Sequence, residues 1–262
     1  MNKTKISWVI NPDGTIGYTM NPIKGWCQHE CLYCYSNGMW HRFHSKDGIT
    51  DKSFAYHPEV FDGIAKLKKH STILVGSAHD IYGDHIDKDT FHNMMMKLWR
   101  VSRNMLSEPN QHTFLLLTKN PERYDREFPQ LGLQSNIWTG ISITNLVNND
   151  INNHNLTIFT YKGLLQKFIS FEPLLGDVAE DLSYSFYYPL HNESFKWFII
   201  GCLNKNGRPV PADKGGTKLE WVLNLLEIAN TCKIPVFIKP ELYVLFPKQL
   251  PIRRDLPYLE RK

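Results

Sequence analysis

Cys27, Cys31 and Cys34 fall within eight residues, in the run Asn21-Pro22-Ile23-Lys24-Gly25-Trp26-Cys27-Gln28-His29-Glu30-Cys31-Leu32-Tyr33-Cys34-Tyr35, with C-x3-C-x2-C spacing. Thiolates are the usual ligands of iron–sulfur clusters, and three of them on one tight loop can bind three irons of a cubane 4Fe-4S cluster. The fourth iron then stays open to an exchangeable ligand. An electron can pass from such a cluster to a sulfonium compound chelated there and break a carbon–sulfur bond. A structural zinc site on the same cysteines, completed by His29, His41 or His44, is the competing reading. Zinc sites favour paired C-x2-4-C arms separated by a longer loop, and here the three thiols are bunched with no second arm. Cys202 and Cys232 are isolated in sequence. Cys232, near the end of an amphipathic helix, reads as a small core residue, and Cys202 at a strand end reads either as packing or as a thiol facing a site.

The loop needs elements to hold it. Short β-rich runs recur along the chain: Ile16 to Ile23, Thr72 to Gly76, Thr113 to Thr118, Ile137 to Ile143, Lys167 to Phe171, Trp197 to Gly201 and Pro235 to Lys239. The cysteines follow the first run. Between the runs, Val60, Phe61, Ile64 and Leu67 make one helix face, and Phe91, Met94, Met95, Leu98 and Met105 another. The methionine run Met94 to Met96 reads as helix packing. Thr217 and Glu220 form a T-x-x-E capping box ahead of Leu219, Val222, Leu223 and Leu226. Asn120-Pro121 opens a short helix, with asparagine as cap. The asparagine-rich stretch from Asn145 to Asn155 reads as a surface loop.

Strands alternating with helices predict an α/β fold with about six to seven parallel strands. In β/α barrels the loops after the strands converge on one face and carry the chemistry. Polar residues stand at almost every strand end: Ser77, His79 and Asp80; Thr118 and Lys119; Ser142, Thr144 and Asn145; Glu172; Asn204; Lys239. Each taken alone also fits a helix cap or turn former. Glu172 is expected to pair with Lys119 or Lys239, because a buried charge without a partner is costly.

The 262 residues, with 42% hydrophobic and 21% charged content, suit one globular domain over residues 1–262, with a core at about 14–240 and a tail at 241–262. Disorder is not indicated. With 30 basic against 26 acidic residues, the balance of +4 neither demands nor excludes a nucleic-acid partner. The amino terminus has no apolar run resembling a signal peptide, and no stretch approaches a membrane span, so a cytoplasmic protein without membrane partners is expected. A reducing compartment disfavours disulfides, which again favours metal on the cysteine trio.

The segment Cys27, Cys31, Tyr33, Cys34 resembles the C-x3-C-x-aromatic-C motif of the radical S-adenosylmethionine superfamily. The resemblance implies a partial or near-complete (β/α) barrel, a 4Fe-4S cluster on the three cysteines, and S-adenosylmethionine as cosubstrate. It implies further that Tyr33 lies against adenine and that an external flavodoxin- or ferredoxin-like donor supplies electrons. Ser77, His79 and Asp80 occupy the place of the Gly-Gly-Glu segment that receives the cosubstrate's amino group, where Asp80 or backbone carbonyls would substitute. Ser142 and Asn145 match the region of ribose contact, and Glu172 would accept from a ribose hydroxyl or a substrate donor. Cys202, Lys119 and Lys239 are the candidate catalytic side chains. The cluster loop is also similar to that of spore photoproduct lyase, which suggests Cys202 as a hydrogen-atom donor.

More of the chain looks like a phage- and bacteria-associated family of uncharacterised radical-SAM-like proteins described by a three-cysteine motif. The resemblance rests on Thr4-Lys5-Ile6-Ser7-Trp8, the approach to the cysteines, Arg42-Phe43, Leu117 to Arg123, Asn136 to Ser142 and Ser170 to Gly176. Departures are the short x3 gap, Gly201-Cys202-Leu203-Asn204 where that family often has Gly-Gly-Glu-Ser, and Lys239-Pro240 in place of Lys-Gln. The expected function is therefore a radical enzyme acting on an unidentified substrate, with a nucleotide or nucleic acid favoured by the mild basicity, the phage association and the lyase-like loop. The alternative is a non-catalytic binding or regulatory module stapled by zinc or a cluster. A protein partner encoded nearby is a third expectation.

Overall fold

A computed structural model describes residues 1–44, 53–104, 111–126, 134–145, 164–179, 182 and 195–259. Met105 of the anticipated helix face, residues 146–155 of the asparagine-rich stretch, and the side chains of His41 and His44 lie outside the described residues. The fold is mixed α/β, with a mostly parallel eight-stranded central sheet. By its contacts the chain divides into two compact units, Met1–Trp138 and Thr139–Lys262.

In the first unit, β1 (Asn2–Lys3) pairs antiparallel with β2 (Tyr18–Met20), and β2 pairs parallel with β5 (Thr72–Val75), which pairs parallel with β6 (Thr113–Thr118). A separate antiparallel pair joins β3 (Ile23–Gly25) to β4 (Phe54–Tyr56). Every residue of β5 is buried, as expected for a parallel strand covered on both faces. Helix α1 (Tyr35–His44) follows the cysteines, α2 (Lys88–Asn104) lies between β5 and β6, and α3 (Arg123–Arg126) follows β6. Phe91, Met94, Met95 and Leu98 of α2 are fully buried, so this methionine run is packing. The Val60 to Leu67 segment forms a 3-10 helix (Pro58–Lys66) rather than an α-helix, with Phe61 and Ile64 buried. Asn120 stands three residues before α3 begins and is not its cap residue; its side-chain amide donates to the Tyr82 carbonyl. Arg123 takes over the local ordering, donating to the carbonyls of Gly83 and Ile86 while stacking on Phe91.

The second unit carries the parallel series β7 (Ile137–Ser142, beginning at the last two residues of the first unit), β8 (Lys167–Phe171), β9 (Trp197–Ile200) and β12 (Val236–Ile238). A short hairpin, β10 (Asn204–Lys205) and β11 (Arg208–Pro209), turns through Asn206 and Gly207, both at positive φ. In β7, Gly140 leaves room for the buried Phe168 ring of β8, which a Cβ would overlap. Helix α4 (Leu219–Thr231) buries Val222, Leu225, Leu226 and Ala229, while Leu223, anticipated on the inner face, is exposed. The capping box does not form either: the helix begins after Lys218, and the Thr217 hydroxyl donates to the Leu174 carbonyl at 2.7 Å. Helix α5 (Pro240–Leu245) opens the segment anticipated as a tail. That segment returns to β12, where the Ile238 amide donates to Arg253, and Tyr258 is fully buried. Among the described residues, no helix is long and apolar enough to cross a membrane.

The seven anticipated strands correspond to β2, β5, β6, β7, β8, β9 and β12, each within a few residues of its anticipated bounds. At the start of β6 the Ser71 amide donates to Nδ1 of His112, an acceptor only when the imidazole is neutral. Burial, helped by nearby His70, pushes His112 down to about 4. The unfolded chain then takes up this proton first, so stability present above pH about 6.5 should decline as pH falls from there towards 4. His112→Asn, which keeps an acceptor near the same place, should show a shallower decline in urea-unfolding free energy over that window; an unchanged slope would contradict this.

Candidate functional site

In the first unit, the cysteine loop begins where β3 ends. Gly25 has φ of 120°, a conformation that favours glycine, and a Cβ there would stand 2.6 Å from the Ser53 carbonyl oxygen. The Trp26 amide donates to that carbonyl at 2.9 Å. Two tight turns follow, closed by the Glu30 amide on the Cys27 carbonyl and the Cys34 amide on the Cys31 carbonyl, and Glu30 takes a φ of 41°. The indole N–H of Trp26 donates to the Glu30 carboxylate at 2.6 Å. Cys27, Cys31 and Cys34 are all free thiols of intermediate exposure, and Cys34 leads directly into α1.

The connection from β5 to α2 backs this loop. Asn21 Oδ1 accepts from the Ser77 hydroxyl and the Ala78 amide, while Ser36 at the start of α1 donates to the Ala78 carbonyl. His29 Nε2 lies 2.8 Å from Asp80 Oδ2, and Gln28 Oε1 accepts from the His85 amide at 3.0 Å. Asp80 Oδ1 accepts from the Tyr82 amide, Oδ2 from the Lys119 amide, and the Thr118 hydroxyl lies within 2.9 Å of both oxygens. Burial would raise the Asp80 carboxyl, but His29, the Lys119 amide and the Thr118 hydroxyl outweigh it and hold the group below its usual value. His79 and His85 place their Nε2 atoms 2.8 Å apart, so one donates and the other accepts. Burial, then the neighbouring His85, lowers His79 to about 4, and burial likewise lowers His85.

Six residues singled out from sequence therefore meet around one loop. Ser77, His79 and Asp80 flank the cysteines, and the Lys119 ammonium sits 5.8 Å from the centre of the Tyr33 ring, with Thr118 bridging to Asp80. Burial raises the Cys27 thiol, opposed by backbone N–H groups of Asp80 and His29 directed to it, while charge on Asp80 and Cys31 adds to the rise. Such N–H groups are donors that a cluster-bound thiolate accepts. The donor set is of the chemistry an iron–sulfur cluster takes: three free thiols on one loop. Among the described residues, no three His, Cys, Asp or Glu side chains converge to hold one metal ion. A cubane spreads its thiolates over separate irons, so that convergence is not its requirement.

In the second unit, Glu172 after β8 and Lys239 after β12 form a close ion pair. Gly201 after β9 makes this contact feasible, since a Cβ would fall 2.9 Å from Lys239 Cδ and 3.0 Å from Glu172 Cγ. Burial works against the Lys239 ammonium, but Glu172 and then Glu241 raise its pKa on balance. The Ser142 hydroxyl lies 3.4 Å from the Glu172 carbonyl, and Asn145 packs against Gly176. Of the two partners anticipated for Glu172, Lys239 is the one it takes. Cys202 is 2% exposed, with its sulfur 3.9 Å from Asn204 Oδ1. Burial, with Glu241 adding, pushes its thiol up to about 12, so it remains S–H at neutral pH. Glu241 was missed from sequence. A proline-glutamate pair after a strand reads as a helix start, and nothing local signals that the carboxylate's charge acts on Cys202 and Lys239.

Removing one member of a mostly buried ion pair leaves the other uncompensated, whereas replacing both does not. Lys239→Met should therefore destabilise the protein by about 1–3 kcal/mol, with most of the loss recovered in the Lys239→Met/Glu172→Met double variant. Urea titration of the four proteins checks this, and additive losses would contradict it.

No curated protein and no solved structure matches this chain. One family model, described as "Protein of unknown function (DUF5131)", matches residues 3–241 and so spans both units. The chain belongs to that DUF5131 family.

Proposed function

We propose that this protein is a cytoplasmic radical S-adenosylmethionine enzyme built on a (β/α) barrel of that superfamily's type. The observation that carries the reading is the loop of Cys27, Cys31 and Cys34, three free thiols of intermediate exposure within eight residues. These cysteines would hold a 4Fe-4S cluster with one iron left for the cosubstrate. When bound, the cluster supplies the electron that cleaves S-adenosylmethionine into methionine and a 5′-deoxyadenosyl radical, which abstracts hydrogen from the substrate.

The remaining tasks fall to the chain. Tyr33 offers its ring to adenine, with the Lys119 ammonium over it to fix the ring's placement. Backbone carbonyls around Ser77 to Asp80 receive the cosubstrate's amino group. Ser142, Asn145 and Glu172 are carried over from the superfamily resemblance alone as groups for the ribose or a substrate, and within the second unit Glu172 is paired with Lys239. Cys202 is the candidate hydrogen-atom donor to the substrate radical, since burial keeps it in the S–H form that this role needs. A flavodoxin- or ferredoxin-like protein supplies the electron. The substrate we favour is a nucleotide or nucleic acid, on the strength of the mild basic balance and the family resemblances.

Anaerobic reconstitution with iron and sulfide should load about four irons per chain, as a single cubane requires. Reduction with S-adenosylmethionine should then release 5′-deoxyadenosine, and Cys31→Ala should abolish it. Zinc in the purified protein, with no cleavage after reconstitution, would instead support a metal-stapled binding module. The substrate class is checked by DNA and RNA binding, where retention at low salt that weakens as salt rises is expected. Absence of binding at low salt would remove nucleic acid from consideration.

A further inference from the structure

The three residues between Cys27 and Cys31 are each tied down. Gln28 accepts the His85 amide, Glu30 turns through a φ of 41° and accepts the Trp26 indole, and the His29 imidazole is held by Asp80. Among these ties the His29–Asp80 contact stands apart because it connects the loop to the ends of two sheet strands. We propose that His29 and Asp80 form a clamp that sets the cysteine loop in its cluster-binding shape before iron arrives, so that Asp80 is a positioning residue and not a ligand for the cosubstrate. The inference rests on the cluster reading for its purpose, while the clamp itself stands on the geometry of the protein.

An ionised carboxylate has about four lone-pair sites. Asp80 meets four donors: the Tyr82 amide on Oδ1, the Lys119 amide and His29 Nε2 on Oδ2, and the Thr118 hydroxyl between them. The side chain is only 8% exposed, which leaves little room for a further donor from a ligand. Thr118 closes β6 and Asp80 lies just beyond β5, so the carboxylate joins two neighbouring parallel strands before it reaches the loop. One residue thus ties two strand ends to the middle of the x3 gap. A loop already fixed in this way loses less freedom when it takes up its metal, the usual benefit of a partner behind the ligands.

The test uses the full chain as wild type and as His29→Ala, His29→Gln and Asp80→Asn. Iodoacetamide labelling of the apo-protein, resolved by cysteine through mass spectrometry, reads the loop without any cluster. His29→Ala should label Cys27 and Cys31 about tenfold faster than wild type, with Cys232 labelling unchanged, and His29→Gln, whose amide can still donate to Asp80, should restore slow labelling. In reconstituted protein the same alanine variant should lose iron to a chelator about 10–100-fold faster. Asp80→Asn should behave like His29→Ala; should it fail to fold, the His29 pair decides. Labelling that follows the clamp in a wild type that takes up no cluster would keep the clamp and remove the radical-enzyme reading. Wild-type labelling and iron release in His29→Ala, with the cluster present, would overturn the clamp and leave that reading standing. Equal labelling together with no cluster would overturn both.

Discussion

A carboxylate taken out of water keeps its charge only if donors surround it, and Asp80 meets that constraint with groups from three places in the chain. Its own segment supplies the Tyr82 amide, the end of β6 supplies Thr118 and the Lys119 amide, and the cysteine loop supplies His29. The parallel pairing of β5 with β6 brings the first two together, and the loop completes the set. The position of the three thiols is therefore coupled to the sheet through one buried charge.

Much of the scaffold was legible in sequence because parallel strands buried on both faces leave continuous apolar runs, such as Thr72 to Val75 and Trp197 to Ile200. The helix face from Phe91 to Leu98 was legible for a similar reason, its spacing matching one buried stripe. Local capping signals were less reliable. Thr217 and Asn120 both carry the right chemistry to cap a helix, yet the helices begin further on, at Leu219 and Arg123, and the two side chains donate to the tertiary carbonyls of Leu174 and Tyr82. Short antiparallel pieces such as β1, β3 and β4 left no signal because two or three residues are too few to show a period.

The site was legible as a set of residue types and less so as a set of partnerships. Spacing alone identified the cysteine trio, and strand ends identified Ser77, His79, Asp80, Lys119, Glu172 and Lys239. Sequence left two lysines open as partners for Glu172; the missing side chain at Gly201 makes room for Lys239, and Lys119 goes to Tyr33. Asp80 takes long-range hydrogen bonds from His29 and Thr118, and separations of 51 and 38 residues put those partners beyond any local pattern. Glu241 was invisible for the same reason. Polar residues at strand ends announce a site; which of them satisfy one another is decided by tertiary neighbours.

The account turns on whether the thiols of Cys27, Cys31 and Cys34 bind a cubane cluster with one iron accessible to S-adenosylmethionine. The most direct measurement is the electron paramagnetic resonance spectrum of the reconstituted, reduced protein, recorded before and after adding that compound. The account predicts a reduced 4Fe-4S signal whose shape changes on addition, because the cosubstrate enters the coordination of one iron. A protein that gives no such signal, or one that is indifferent to S-adenosylmethionine, would contradict it.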